Sequence, residues 1–314
     1  MSLFGEVREK LKGFVAKHDI ALSHVWHGIL CLIGQIAIIQ SFPDQNPLNN
    51  ALNVAILTVV GAFVPISATV IILIFVALVH LAALSGEVAL AAVLLLFIGY
   101  LISSYYQADT KYNLVILPVF YKFGIPFAVP MAAGLTGSLK DVTTVIFGSF
   151  EAYFFRLVVD NRAALSDPDG STTAVSLIME HMLKNRIFYC FLVAQIVMFL
   201  VVYIIRTRNT EHSWDVGVGF GSVASFAVMI VGNLFFHSND NVLSLMIGMV
   251  ITVVLGLAMS FAFVDLDYSR PENVQFEDDD YYYYVTAIPK AKLQEEKRTV
   301  THITGRKPHR KENE

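Results

Sequence analysis

Residues 114–137 read LVILPVFYKFGIPFAVPMAAGLTG, and the interpretation of this run decides the fold. It is apolar enough to lie in a membrane, yet Pro118, Pro126 and Pro130 interrupt it, as do Gly124, Gly134 and Gly137, and Lys122 sits near its middle. Proline lacks a backbone donor and clashes with the preceding turn, so the run cannot be one straight helix. In hydrocarbon, broken backbone survives only where protein or a wet cavity satisfies the freed groups, and a charge at that depth carries the same implication. A short polar turn follows, and then an apolar run to Asp160 with Glu151 at its centre and Arg156 five residues on. A functional centre is expected here.

Composition sets the class. Of 314 residues 55% are hydrophobic and only 15% charged, with a mean hydropathy of +0.60. A soluble domain is about a quarter charged and lacks apolar runs approaching about twenty residues. The chain therefore reads as an all-α, polytopic integral membrane protein whose first partner is the lipid bilayer. Cys31 and Cys190 both fall inside apolar runs, which reads as buried thiols rather than a disulfide.

Working outward, eight crossings are expected, at about 21–42, 51–84, 88–106, 112–137, 141–159, 187–205, 216–236 and 242–264, the fourth of them broken by proline and glycine. The run 51–84 is longer than one span needs. Pro65 makes it either one kinked helix or a short re-entrant piece before a span at about 66–84, and the eight-span reading takes it as one crossing. Residues 1–20 place Leu3, Phe4, Val7, Leu11, Phe14 and Val15 at helical spacing among lysines and Arg8, the pattern of an amphipathic helix on the cytoplasmic face. A second amphipathic surface helix is expected over 171–186. His24 and His27 share a helix face, where interfacial hydrogen bonding beside Trp26 is the simpler role than metal ligation.

Small residues recur four apart in the last two spans: Gly217, Gly221 and Ser225, then Gly248, Thr252, Gly256 and Ser260. Such ladders let helix backbones approach closely in lipid, and the short HSNDN connection predicts that these two helices pack on each other as an antiparallel pair. With eight crossings, most of the lysine and arginine falls on the side of the two termini, which predicts both ends in the cytoplasm of a plasma-membrane protein.

Residues 265–314 change character. FEDDDYYYYVTAIPK is acidic and aromatic, and residues 281–288 carry the strongest strand signal in the chain. A lone strand is not stable, so Tyr281, Tyr282, Tyr283, Tyr284 and Val285 must pair within the chain, with another copy, or with a protein partner by strand addition. The remaining tail is charged and apolar-poor, the composition of a disordered segment, with no fold suited to nucleic acid.

No nucleotide-binding glycine motif, metalloprotease motif, nucleophile elbow or zinc-spaced Cys/His group is present, so neither enzymatic chemistry nor a cofactor is expected. Glu151 is the residue that most needs explaining: a carboxyl near the midplane must be partnered or must titrate. Asp160 lies four residues from Arg156 and suits it as an ion-pair partner, leaving Glu151 to meet Lys122 from the broken run. Lys122, Glu151 and Arg156 thus form the expected intramembrane polar site. Two function classes fit: a transport or permease component moving an ion or small polar solute past this site, and a non-catalytic subunit that docks partners through the tyrosine strand. The broken run beside a midplane carboxyl favours the first.

Overall fold

The computed structural model describes residues 14–15, 17–42, 47–165, 174–208, 212–236, 242–263, 272–277 and 282–287. Most of the expected 1–20 helix, residues 171–173, Tyr281 and the HSNDN connection lie outside the described residues. In chain order the first unit, residues 1–264, contains α1 (Asp19–Ser41), α2 (Ala51–Phe63), α3 (Ile66–Leu84), α4 (Gly86–Tyr105), α5 (Asn113–Lys122) and α6 (Ala128–Thr136). It continues with α7 (Val142–Asp160), α8 (Ala174–Lys184), α9 (Arg186–Arg206), α10 (Ser213–Phe236) and α11 (Val242–Phe263).

Seven of these, α1, α3, α4, α7, α9, α10 and α11, are long and apolar enough to cross a membrane. At about 1.5 Å per residue they match a hydrocarbon core about 30 Å thick. Their outer faces carry large apolar side chains in the open, Phe235, Val223 and Val250 among them. Water would not tolerate that surface; lipid does. The chain is a multi-pass membrane protein.

Residues 51–84 do not form one kinked crossing. Pro65 ends α2, and α3 turns back. Gln35 of α1 donates to Thr58 Oγ1 at 3.1 Å, and Gly28 packs on Ala62, so α2 runs antiparallel to α1. Gly34 packs on Leu73, and the Phe42 and His80 rings lie 6.4 Å apart, so α3 runs parallel to α1. Three of the carbonyls left over at the break are taken by side chains. Thr69 Oγ1 donates to Gly61 O at 2.9 Å, while the Nδ1 atoms of His24 and His27 reach Ala62 O at 2.8 Å and Val64 O at 3.0 Å. These side chains make the broken helix end tolerable in an apolar setting.

The last two helices do touch, at Gly256 and Val218, but the first small-residue ladder faces the helix before it. A methyl group at Gly221 would lie 2.6 Å from Val202 Cγ2, and one at Gly217 would lie 3.3 Å from Val202 O, so this ladder packs α10 on α9. Ser225 turns back to its own helix, donating to Gly221 O at 2.8 Å. On α11, Gly256 meets Met131 of α6 as well as Val218 of α10, and Gly248 meets the backbone between α5 and α6. Thr252 donates to Gly248 O at 2.8 Å, and Ser260 is buried. A broken pair of half-helices leaves a narrow gap beside it, and the second ladder supplies the thin helix that fills it.

Helix α8 is amphipathic, with Ile178 and Met182 buried and Glu180 and Lys184 exposed. Lys184 pairs with Glu180 one turn away and holds that carboxyl below its ordinary range.

The second unit, residues 265–314, contains β1 (Glu272–Glu277) and β2 (Tyr282–Ala287). They pair antiparallel, Glu272 opposite Ala287 through Glu277 opposite Tyr282. Of the three pairings open to the tyrosine strand, the structure has the one within the chain. Tyr284 is 78% exposed and Tyr283 39%.

Candidate functional site

The proline-rich run builds a helical hairpin rather than one broken crossing. Along α5, Asn113 O lies against Gly148, Leu117 packs with Ala152, and Tyr121 reaches Arg156, so α5 runs parallel to α7. Along α6, Val129 packs with Ala152, Ala133 with Val145, and Gly137 lies against Asp141, so α6 runs back antiparallel to α7. The turn at the tip is a Schellman motif: Gly124 has φ +76°, Ile125 N–H reaches Phe120 O and Gly124 N–H reaches Tyr121 O, each at 3.0 Å. Only glycine takes that φ without cost, and Pro126 just beyond prevents the helix resuming in line. Pro130 sits in the first turn of α6, where its missing donor is not needed.

The base of the hairpin is tied by one carboxylate. Asp141 is wholly buried. Its Oδ1 accepts from Thr110 N–H and Thr110 Oγ1, both at 2.7 Å, and its Oδ2 accepts from Ser138 N–H at 2.7 Å and Ser138 Oγ at 3.1 Å. Residues on either side of the hairpin therefore meet on the same side chain. Arg206, 5% exposed, closes the returning helix, donating from Nη1 to Leu135 O at 2.7 Å and from Nη2 to Gly137 O at 3.0 Å. A cation on the last carbonyls of a helix is electrostatically favoured.

At the other end, the tip borders a cavity of about 420 Å³. Its walls are chiefly apolar and include Leu73, Leu114, Phe127, Phe155 and Leu245. Ser41, Asn233 and Ser244 come from helix ends at the same level, and Lys122, Arg156 and Asp160 also line it. Arg156 donates from Nη1 to Tyr121 Oη at 2.8 Å and its Nε lies 3.5 Å from Asp160 Oδ2. Tyr121 is held in turn by an edge-on contact with Phe191, ring centroids 5.2 Å apart. Lys122 is exposed and makes no hydrogen bond or ion pair among the described residues.

The expected trio is thus split. Lys122 and Arg156 share the cavity, and Arg156 has Asp160 as its partner. Glu151 does not line the cavity and does not meet Lys122. It is wholly buried on α7 beside Ala152, and among the described residues neither carboxyl oxygen has a hydrogen-bond partner. Gln195 on α9 is likewise wholly buried, with neither amide atom partnered among the described residues. Asp141, Thr110, Tyr121 and Arg206 were not singled out from sequence. The spacing Ser138-Leu-Lys-Asp141 before an apolar run is nevertheless a capping-box signature, and both halves of that box are formed. Nothing in the pattern alone indicates that Thr110 joins it from across the hairpin.

No protein-family model, curated protein or solved structure matches this chain.

Proposed function

We propose that this protein is a membrane transport or permease component, and that the cavity at the tip of the α5–α6 hairpin is where its cargo enters. The observation that carries this reading is the pairing of Lys122, which has no partner among the described residues, with a half-exposed Arg156 on the wall of a chiefly apolar cavity. An intramembrane or interfacial cation without a partner is a functional feature by default, and helices broken by proline and glycine are where transporters build their sites. The cation excess at the cavity makes the cargo anionic rather than cationic. The side where α1 begins and α11 ends is then the cytoplasmic one in a plasma membrane, because Arg8, Lys10, Lys12, Lys17 and the basic tail attach there. The test is flux of anions into proteoliposomes. Loss of flux in Lys122→Gln, with an unchanged elution profile, supports the reading, and equal flux in the parent and in protein-free vesicles sinks it.

A second reading rests on β2. In the two-stranded sheet one edge of the tyrosine strand is taken by β1, and among the described residues no strand pairs with the other edge, where a partner strand could add. A non-catalytic docking subunit follows from that. Affinity isolation of the full chain and of one ending at Asp267 distinguishes it: a stoichiometric protein lost on truncation supports docking, and isolation of both forms alone removes it.

A further inference from the structure

The chemistry of the cavity wall is more specific than anionic. A small inorganic anion or polar solute would strand its hydration against Leu73, Leu114, Phe127, Phe155 and Leu245, and burying a polar group beside such a wall is costly. An uncharged chain would leave Lys122 unanswered. Only a molecule with both parts satisfies both surfaces. We infer that the cavity binds a single-chain anionic amphiphile, a fatty carboxylate, with its head on Lys122 and Arg156 and its chain along the apolar wall.

Charge and size narrow the class. Lys122, Arg156 and Asp160 together carry one net positive charge, which a monoanionic carboxylate balances and a phosphate dianion overshoots. Arg156 is pre-oriented, since Tyr121 Oη and Asp160 fix the guanidinium from two directions. Lys122, with no such partner, is left to supply the point charge. A cavity of about 420 Å³ falls in the range of about 300–1,000 Å³ that holds small organic ligands, and dodecanoate serves as the probe of the class. The cavity opens among helix ends, at Ser41, Asp160, Asn233 and Ser244, the level at which a fatty carboxylate floats in a bilayer with its head at the interface.

This inference rests on the transport reading for its meaning, since the bound amphiphile is the cargo, but binding can be tested without flux. Radiolabelled dodecanoate is titrated onto the full chain in a non-ionic detergent by scintillation proximity. Saturable binding of one per chain is expected, weakened by about tenfold in Lys122→Gln through loss of one charge-assisted contact. Ala77→Phe, which fills the wall without touching a charge, is expected to weaken it as well, with an unchanged elution profile showing that the variant is folded. Acetate and dodecyltrimethylammonium should fail to compete, lacking respectively the chain and the negative head. Equal binding by the parent and Lys122→Gln, or full competition by dodecyltrimethylammonium, overturns the inference, because the cavity is then only an apolar sink. Binding as described with no dodecanoate flux in proteoliposomes upholds the site and removes the transport reading. Flux of a small anion without dodecanoate binding does the reverse.

Discussion

Asp141→Ala is the sharpest test of the hairpin. The carboxylate accepts four hydrogen bonds, two of them from the backbone N–H groups of Thr110 and Ser138, and is itself wholly buried. Hydrogen bonds to a charged acceptor contribute about 1.5–3 kcal/mol each, but four on one group are not additive. The firmer estimate comes from what alanine leaves behind. Thr110 is 6% exposed and Ser138 part-buried, so two backbone donors lose their acceptor where water does not readily replace it. At about 1–3 kcal/mol per stranded donor, and with the hydroxyls free to rotate to other acceptors, the loss is about 2–6 kcal/mol. Asp141→Asn should cost about half as much, since the amide keeps one acceptor oxygen but presents N–H groups to the other pair of donors. The assay is equilibrium unfolding in mixed micelles, with a double-mutant cycle against Thr110→Val to isolate the contact across the hairpin. An Asp141→Ala variant within about 1 kcal/mol of the parent, or a cycle showing no coupling with Thr110, would refute the claim that this carboxylate ties both ends of the hairpin together.

Three further substitutions, one with a control, probe its surroundings. Arg206→Met strands the Leu135 and Gly137 carbonyls and should cost about 3 kcal/mol in the same unfolding assay, with thermal aggregation at lower temperature as a second readout. Gly248→Leu drives a side chain into the carbonyl of Gly124, and because the obstacle is backbone rather than a flexible side chain, loss of the monodisperse peak is expected, whereas Gly219→Leu, which meets nothing, should elute as the parent does. Glu151→Leu removes two unpartnered buried oxygens and should raise stability by about 1–3 kcal/mol. If it lowers stability instead, Glu151 has a polar partner in the folded protein and the burial argument fails.

Membrane class was legible from apolar run length alone, because length and apolarity are properties of a local window. So was the Arg156–Asp160 pair, set by the rise of one helical turn. The location of the break was legible in part: Gly124, Pro126 and Pro130 lie at the end of α5 or the start of α6, whereas Pro118, expected to interrupt the run as well, sits inside α5. What the break does was not. A kinked crossing and a hairpin use the same breakers, and the difference lies in which neighbours the second half meets. Those neighbours, Val145 for Ala133 and Phe199 for Gly134, are far away in sequence. The Glu151–Lys122 pairing failed for the same reason. It needs Lys122 at the level of Glu151, and the hairpin carries Lys122 past it to the tip, one turn beyond the level where Leu117 meets Ala152. Likewise the small-residue ladders identify thin helices but not which partner approaches them.

The topology offers one position at which these readings part. A single crossing over 112–137 puts Lys111 and Lys140 on opposite faces of the membrane. The hairpin puts them on the same face, because Thr110 and Ser138, their near neighbours, both bond the carboxylate of Asp141. Resolving 51–84 into α2 and α3 adds one reversal upstream, and resolving 112–137 into α5 and α6 adds another. The two changes cancel, so α11 still ends on the face where α1 begins, and helices after α7 keep the orientation that eight crossings predict. Only the segments between Pro65 and Ser138 change sides, and Lys111 is the one basic residue in a connection among them. The measurement is cysteine labelling in sealed vesicles, with Cys31 and Cys190 replaced by serine and a single cysteine placed at Lys111, Lys140, Arg208 or Glu87. Lys111→Cys, Lys140→Cys and Arg208→Cys should label from one side and Glu87→Cys from the other. Lys111→Cys labelling with Glu87→Cys, and opposite Arg208→Cys, would contradict the meeting of Thr110 and Ser138 at Asp141. It would also move a positive charge away from the face that holds the basic N-terminal segment, against the rule that lysine and arginine gather on the cytoplasmic side.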